Sequence, residues 1–116
     1  MGLELTVAAF ERIVEEELDA LPDEMVEGLQ NVAFVVEDAP ADGEDLFGRY
    51  EGVDLPSRSQ YGFGELPDRI VVFRLPHLAS ADTEEQLRDE LHTTLVHEIG
   101  HFYGLDDERL HALGWA

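Results

Sequence analysis

His97-Glu98-Ile99-Gly100-His101-Phe102-Tyr103-Gly104-Leu105-Asp106-Asp107 sets two histidines four residues apart, with a glutamate directly after the first and a glycine three residues beyond the second. On a helix, positions four apart lie about 40° from each other around the axis, so both imidazoles can reach one metal ion. Glu98 projects beside it. In an HExxH arrangement this carboxylate does not bind the metal but takes a proton from zinc-bound water, whose pKa the metal lowers to about 7. Ordinary residue frequencies make a chance HExxH rare, in well under roughly 1 in 100 chains of this length. The stretch therefore predicts a helix carrying a hydrolytic zinc site, with one zinc ion as the expected cofactor.

The flanking sequence supports the helix. The spacing predicts one over Thr83 to Phe102, with Asp82 or Thr83 as N-cap, Glu84 and Glu85 in the first turn and no internal proline. Helical-wheel arithmetic puts Leu87, Leu91, Leu95, Ile99 and Phe102 on one face and Glu90, Thr94, His97 and His101 on the adjacent stripe, so a core face and a polar cleft face run side by side. Gly104 is the expected stop. A left-handed glycine at that point reverses the chain and can return the next side chains toward His101.

A third ligand is expected from that reversal. Asp107 stands three residues beyond Gly104, where the extended pattern HExxHxxGxxH has its last histidine, and carboxylate oxygen is an accepted zinc ligand. The competing reading makes Asp106 an N-cap, with Asp107 and Glu108 as first-turn acids of a final helix over Asp107 to Leu113. Glu108 and His111 are the alternative third ligands.

The run from Leu95 through Gly114 resembles a small bacterial family of zincin-like metallopeptidases that carries HExxHxxGxxD. Leu46-Phe47-Gly48-Arg49-Tyr50-Glu51-Gly52 and Leu66-Pro67-Asp68-Arg69-Ile70 are similar to other segments of that family, so the resemblance covers nearly the whole chain. It implies a minimal zincin fold, metal ligation by His97, His101 and Asp107, and a catalytic Glu98. The chain departs from the larger metzincins in having no methionine after the motif, since its methionines are Met1 and Met25. The methionine turn beneath the metal in those enzymes, and the substrate-binding elements that follow it, have no counterpart here.

The chain has 116 residues, 44% of them apolar, which suits a single domain over residues 1–116 that folds around one core. It contains no cysteine, so there is no disulfide framework, and any zinc must take N and O ligands. The N-terminus lacks a basic segment followed by an apolar one, and no apolar run is long enough to span a bilayer, which points to a cytoplasmic protein. Twenty-seven acids stand against seven arginines and no lysine, for a net charge of −20. A field of that sign repels phosphate backbones and anionic membranes and draws cations and basic peptides. Solubility or adaptation to high salt explains the same charge without any substrate.

Along the chain, Thr6 to Leu21 has the spacing of an amphipathic helix, with Val7, Phe10, Val14, Leu18 and Leu21 on one side, and Pro22 allows a second helix over Asp23 to Leu29. Val32 to Glu37 is a β-branched run expected as an inner strand, and Phe47 to Tyr50 and Arg69 to Phe73 are the other strand candidates. Gly52 to Pro67 is rich in Gly, Pro and Ser and reads as an irregular loop. This order predicts an α+β fold, a small three-stranded sheet packed against helices with the metal helix near the C-terminus. By resemblance, Arg69 to Phe73 or Gly62-Phe63-Gly64 borders the cleft and pairs with bound peptide as an added strand. Tyr61 and Tyr103 are the phenols available to an oxyanion, although the wheel puts Tyr103 on the far side of the helix from the histidines. His92 lies off the metal stripe and His77 follows Pro76 in an expected loop; both read as surface residues.

The expected function is that of a zinc-dependent metallopeptidase acting on a peptide or protein substrate. The alternative is a non-catalytic zinc-binding module that keeps the site for structure or sensing, a reading motivated by the missing methionine turn and the short C-terminal part.

Overall fold

The computed structural model describes residues 2–29, 31–52 and 68–115. In chain order the elements are α1 (Val7–Asp19), α2 (Asp23–Val26), β1 (Val32–Glu37), β2 (Gly48–Glu51), β3 (Asp68–Phe73), α3 (Arg74–Ser80), α4 (Glu84–Phe102) and α5 (Asp107–Leu113). Of the expected loop Gly52 to Pro67, residues 53–67, with Tyr61 and Gly62-Phe63-Gly64, lie outside the described residues.

Helix α1 starts where Thr6 accepts a hydrogen bond from the Ala9 amide, and it buries Phe10, Ile13 and Val14. Val7, placed on that apolar face by spacing alone, is 46% exposed because it precedes the turn that meets the core. Helix α4 is capped in the same way by Thr83, which accepts from the Gln86 amide. The Gln86 side chain in turn accepts from the Asp82 amide at 2.8 Å, which ties the residue before the cap to the first turn. The five apolar residues of α4 read from the wheel, Leu87, Leu91, Leu95, Ile99 and Phe102, are all buried. Arg88 joins α4 to α1: its guanidinium donates to Glu16, Glu17 and Glu84 at 2.7, 3.1 and 3.2 Å. These three carboxylates hold the Arg88 pKa above its ordinary value.

The sheet has the order β1-β3-β2, with β1 parallel and β2 antiparallel to β3. This reverses one expectation. Val32 to Glu37 forms a strand with those bounds, yet it is an edge strand whose residues are half-buried or exposed. The inner strand is β3, in which Ile70, Val71, Val72 and Phe73 are all buried. A strand covered on both faces needs an unbroken apolar run, and both segments offer one, so the choice falls to cross-strand pairing rather than pattern. Arg69 sits in the middle of that pairing, with ion pairs to Glu37 of β1 at 2.9 Å and Glu51 of β2 at 3.1 Å. Because both ladders of β3 are already filled, Arg69 to Phe73 cannot receive a peptide as an added strand. The sheet edge beside α4 belongs to β2.

Helix α3 replaces the loop expected around Pro76. Proline breaks a helix interior, but Pro76 is the third residue of α3, where an amide has no carbonyl partner within the helix and its loss costs little. His77 is consequently a helical residue and fully buried, not a surface one. His92 is exposed, in line with its position on the wheel. Among the described residues no helix is long and apolar enough to cross a membrane.

Candidate metal centre

The end of α4 sets the geometry. Tyr103 caps the helix and Gly104 follows at φ 80°, in the left-handed region that glycine enters without a Cβ penalty. The Gly104 amide then donates to the His101 carbonyl at 3.0 Å and the Leu105 amide to the Gly100 carbonyl at 2.9 Å. This paired pattern is the Schellman stop, and it turns the chain back across the helix end. Asp106 caps α5 by accepting from the Arg109 amide at 2.8 Å, which leaves Asp107 as the first helical residue. Its carboxylate reaches back to the metal stripe, with Oδ1 3.5 Å from His97 Nε2.

His97, Glu98 and His101 converge, and their potential ligand atoms all lie within 4.8 Å of one another. The two imidazoles meet nearly edge to face, with ring centroids 4.4 Å apart. Both are about two-fifths exposed, so the ring nitrogens open to solvent, whereas the Glu98 side chain is only 9% exposed. Glu98 Oε1 lies 3.2 Å from His101 Nδ1. Asp107, Glu108 and His111 are all exposed on α5 and stand outside this three-residue cluster; Asp107 touches it through His97.

The donor set fits a zinc ion. Two ligand atoms of a tetrahedral zinc with bonds of about 2.0–2.1 Å stand about 3.3 Å apart, close to the separation of His97 Nε2 and Asp107 Oδ1. The donors are imidazole nitrogen and carboxylate oxygen, the only strong ligand types open to a chain without cysteine.

Beneath the cluster lies a relay that sequence reasoning missed. His77 Nδ1 is 2.8 Å from the Phe73 carbonyl oxygen, which can only accept, so Nδ1 carries the proton. Nε2 is then the acceptor, and the Thr94 hydroxyl donates to it at 2.9 Å. Burial holds the His77 pKa below its ordinary value; the hydrogen bond to Phe73 and the charge of Glu90 act against that shift without reversing it. The wheel predicts Thr94 on an open cleft face, but it is buried and tied down one turn before Glu98. The signal that could have revealed His77 is the apolar run Ile70 to Phe73 leading straight into a helix that carries proline in its first turn.

Strand β2 closes the other side. A Cβ added at Gly48 would stand 2.7 Å from Thr94 Cγ2, 3.1 Å from the Val71 carbonyl oxygen and 3.4 Å from Glu98 Cγ. Glycine is thus what lets this strand lie against the helix at the level of Glu98. Gly48→Ala is expected to cost about 1–3 kcal/mol through overpacking, because Thr94 is held by its bond to His77 and cannot swing aside. Denaturant melts would measure this, and a change below about 0.5 kcal/mol would mean that the contact yields. Tyr103 turns away from the metal stripe, as the wheel predicts. Its hydroxyl donates to the Met25 carbonyl at 2.9 Å, and burial pushes its pKa up.

The zincin-like metallopeptidase family matches this chain over residues 29–115. No curated protein matches it. Among solved structures, a conserved hypothetical protein from Thermus thermophilus is similar, with a TM-score of 0.58 and 25% identity over 94% of this chain and 97% of that one. The family match spans the three strands of the sheet, the His77 relay and the whole HExxH helix with the turn after it, and on that match the chain belongs to the zincin-like metallopeptidase family.

Proposed function

We propose that this chain is a zinc-dependent peptidase in which His97, His101 and Asp107 hold the metal and Glu98 is the general base. The observation that carries this reading is the convergence of His97, Glu98 and His101 within 4.8 Å, with Asp107 Oδ1 3.5 Å from His97 Nε2. Zinc, when bound, supplies Lewis acidity that polarises a carbonyl oxygen and makes water a stronger acid. Glu98 accepts the proton of the attacking water on a carboxylate oxygen as that water adds to the scissile carbonyl carbon. The same carboxyl then returns the proton to the amine nitrogen as the C–N bond breaks. Glu98 is suited to both steps because it is nearly enclosed, so few other waters compete for it, and it is braced by the His101 Nδ1 contact.

The test is metal removal. Chelation should abolish hydrolysis of a mixed peptide pool, and one equivalent of zinc should restore it. Asp107→Ala should lower zinc affinity without unfolding the chain, since the Asp107 side chain is 75% exposed and packs against little. Protein that cleaves equally well without metal would sink the proposal. The alternative, a structural or sensing zinc module, is favoured by the way a metal on His97 and Asp107 would clamp α5 to α4. Melting curves separate the two. A structural site should lose most of its stability on chelation, because metal binding is then folding free energy, whereas a catalytic site should lose activity with a smaller shift.

A further inference from the structure

A groove of about 250 Å³ lies on α4 before the site, lined by Phe47, Asp89, Glu90, Thr93 and Thr94. Thr93 and Thr94 stand one helical turn before His97 and Glu98, so the groove opens about 5–6 Å along α4 from the metal stripe. Phe47 is 43% exposed, an unusual position for a phenylalanine. Its ring rests on the buried His77 with centroids 4.8 Å apart, which fixes its orientation. Asp89 is exposed and Glu90 half-buried, and among the described residues neither carboxylate has a cationic partner. Four of the described arginines instead pair with other acids: Arg49 with Asp42 and Glu44, Arg69 with Glu37 and Glu51, Arg74 with Asp38, and Arg88 with Glu16, Glu17 and Glu84.

We infer that this groove is a specificity site for a cationic side chain, arginine or lysine, of a peptide whose scissile bond lies at His97 and Glu98. The inference rests on the peptidase reading and names the substrate class for it. A long basic side chain matches the groove in both of its parts. Its aliphatic stem lies along apolar surface, here the Phe47 ring and the threonine methyls, while its charged head stays at the polar rim. There the head meets two carboxylates and the face of an aromatic ring, each of which attracts a cation. An acidic side chain meets repulsion from the same groups, so the groove rejects as well as selects. Asp89 and Glu90 are the specificity-determining residues, and Phe47 is the platform.

Matched peptides that differ only in arginine, norleucine or glutamate beside the scissile bond provide the test. Affinity is read by NMR titration of the zinc-loaded Glu98→Gln protein, independently of turnover, and kcat/KM is read on the wild type. The arginine peptide should bind about tenfold tighter than the norleucine peptide, from one ring and two partly exposed carboxylates acting together. Its shifts should centre on Thr93 and Thr94. In Asp89→Asn/Glu90→Gln the preference should fall to about twofold or less, while Glu11→Gln/Glu15→Gln, which removes the same charge from α1, should keep it. Equal binding of arginine and norleucine, or a preference that falls alike in both double variants, would overturn the groove and assign any attraction to the overall field. If arginine preference holds in binding but the wild type cleaves no peptide, the groove stands and the peptidase reading falls. If peptides are cleaved without regard to arginine, the peptidase reading stands and the groove falls.

Discussion

Glu98→Gln is expected to lower peptide hydrolysis by about 10²–10⁴-fold, the usual worth of a positioned general base. The substitution keeps the shape of the side chain and a carbonyl oxygen toward His101 Nδ1, but removes the site that accepts a proton. Zinc content should not change, because the ligands proposed are His97, His101 and Asp107. The loss should therefore fall on kcat, with KM nearly unaffected, since Glu98 acts on the water and not on the ground-state peptide. The fold should tolerate the change, as a buried carboxylate is replaced by a neutral amide of the same volume among the same neighbours. Metal content by mass spectrometry, single-turnover kinetics and a denaturant melt on the same preparation would check all three. Retained zinc with undiminished turnover would remove Glu98 from the mechanism. Lost zinc would make it a ligand, a role that its place in the 4.8 Å cluster also permits.

Much of this site is legible because its residues are close in sequence. Leu87, Leu91, Leu95, Ile99 and Phe102 repeat with one helical period, and that period alone fixes which way His97 and His101 face. Gly104 and Asp106 punctuate the chain by local chemistry, so the reversal and the start of α5 at Asp107 can be read before any packing is known. The α+β class follows from the order of the segments. What cannot be read depends on partners distant in sequence. The pattern of Val32 to Glu37 and that of Asp68 to Phe73 both describe apolar strands, and periodicity reports burial, not which ladder is shared. Pattern alone therefore exchanges the edge and inner positions, and with them the strand that could meet a peptide.

Helix α3 is hidden for a different reason. Pro76 is a strong breaker inside a helix and harmless in its first turn, and only the register of the helix distinguishes the two cases. Once α3 forms, His77 is carried under Phe47 and against Thr94, a contact across 17 residues that no local pattern announces. The charge shows the converse limit. A balance of −20 is evident from composition, but which acids are consumed in structural pairs, as at Arg88, and which stay without a cationic partner among the described residues, as at Asp89 and Glu90, is decided only by the fold.

His77→Ala is expected to destabilise the chain by about 2–4 kcal/mol, through the cavity left by a fully buried ring and the loss of the acceptor for the Thr94 hydroxyl. The rings of Phe10 and Phe47, with centroids 6.1 and 4.8 Å from that of His77, lose a packing surface at the same time. Thr94→Val isolates the hydrogen bond, because it leaves the ring in place with Nε2 unpaired, and should cost about 1–2 kcal/mol. Together they form a double-mutant cycle whose coupling measures the bond itself. The same relay predicts a pH dependence. Burial depresses the folded pKa of His77 below its unfolded value of about 6.5, so the unfolded chain binds the proton more readily. Its contribution to stability is present above pH of about 6.5 and is lost as the pH falls below that value toward the folded pKa. This window lies above the ordinary carboxylate range near pH of about 4, so relief of the acidic self-repulsion does not mask it. Denaturant melts of metal-free protein between about pH 7.5 and about pH 5.5, a range chosen to bracket that reference value, should fall more steeply for the wild type than for His77→Ala. Parallel slopes would mean that His77 takes up its proton inside the fold, and that Thr94 can turn from donor to acceptor without disturbing the turn that carries Glu98.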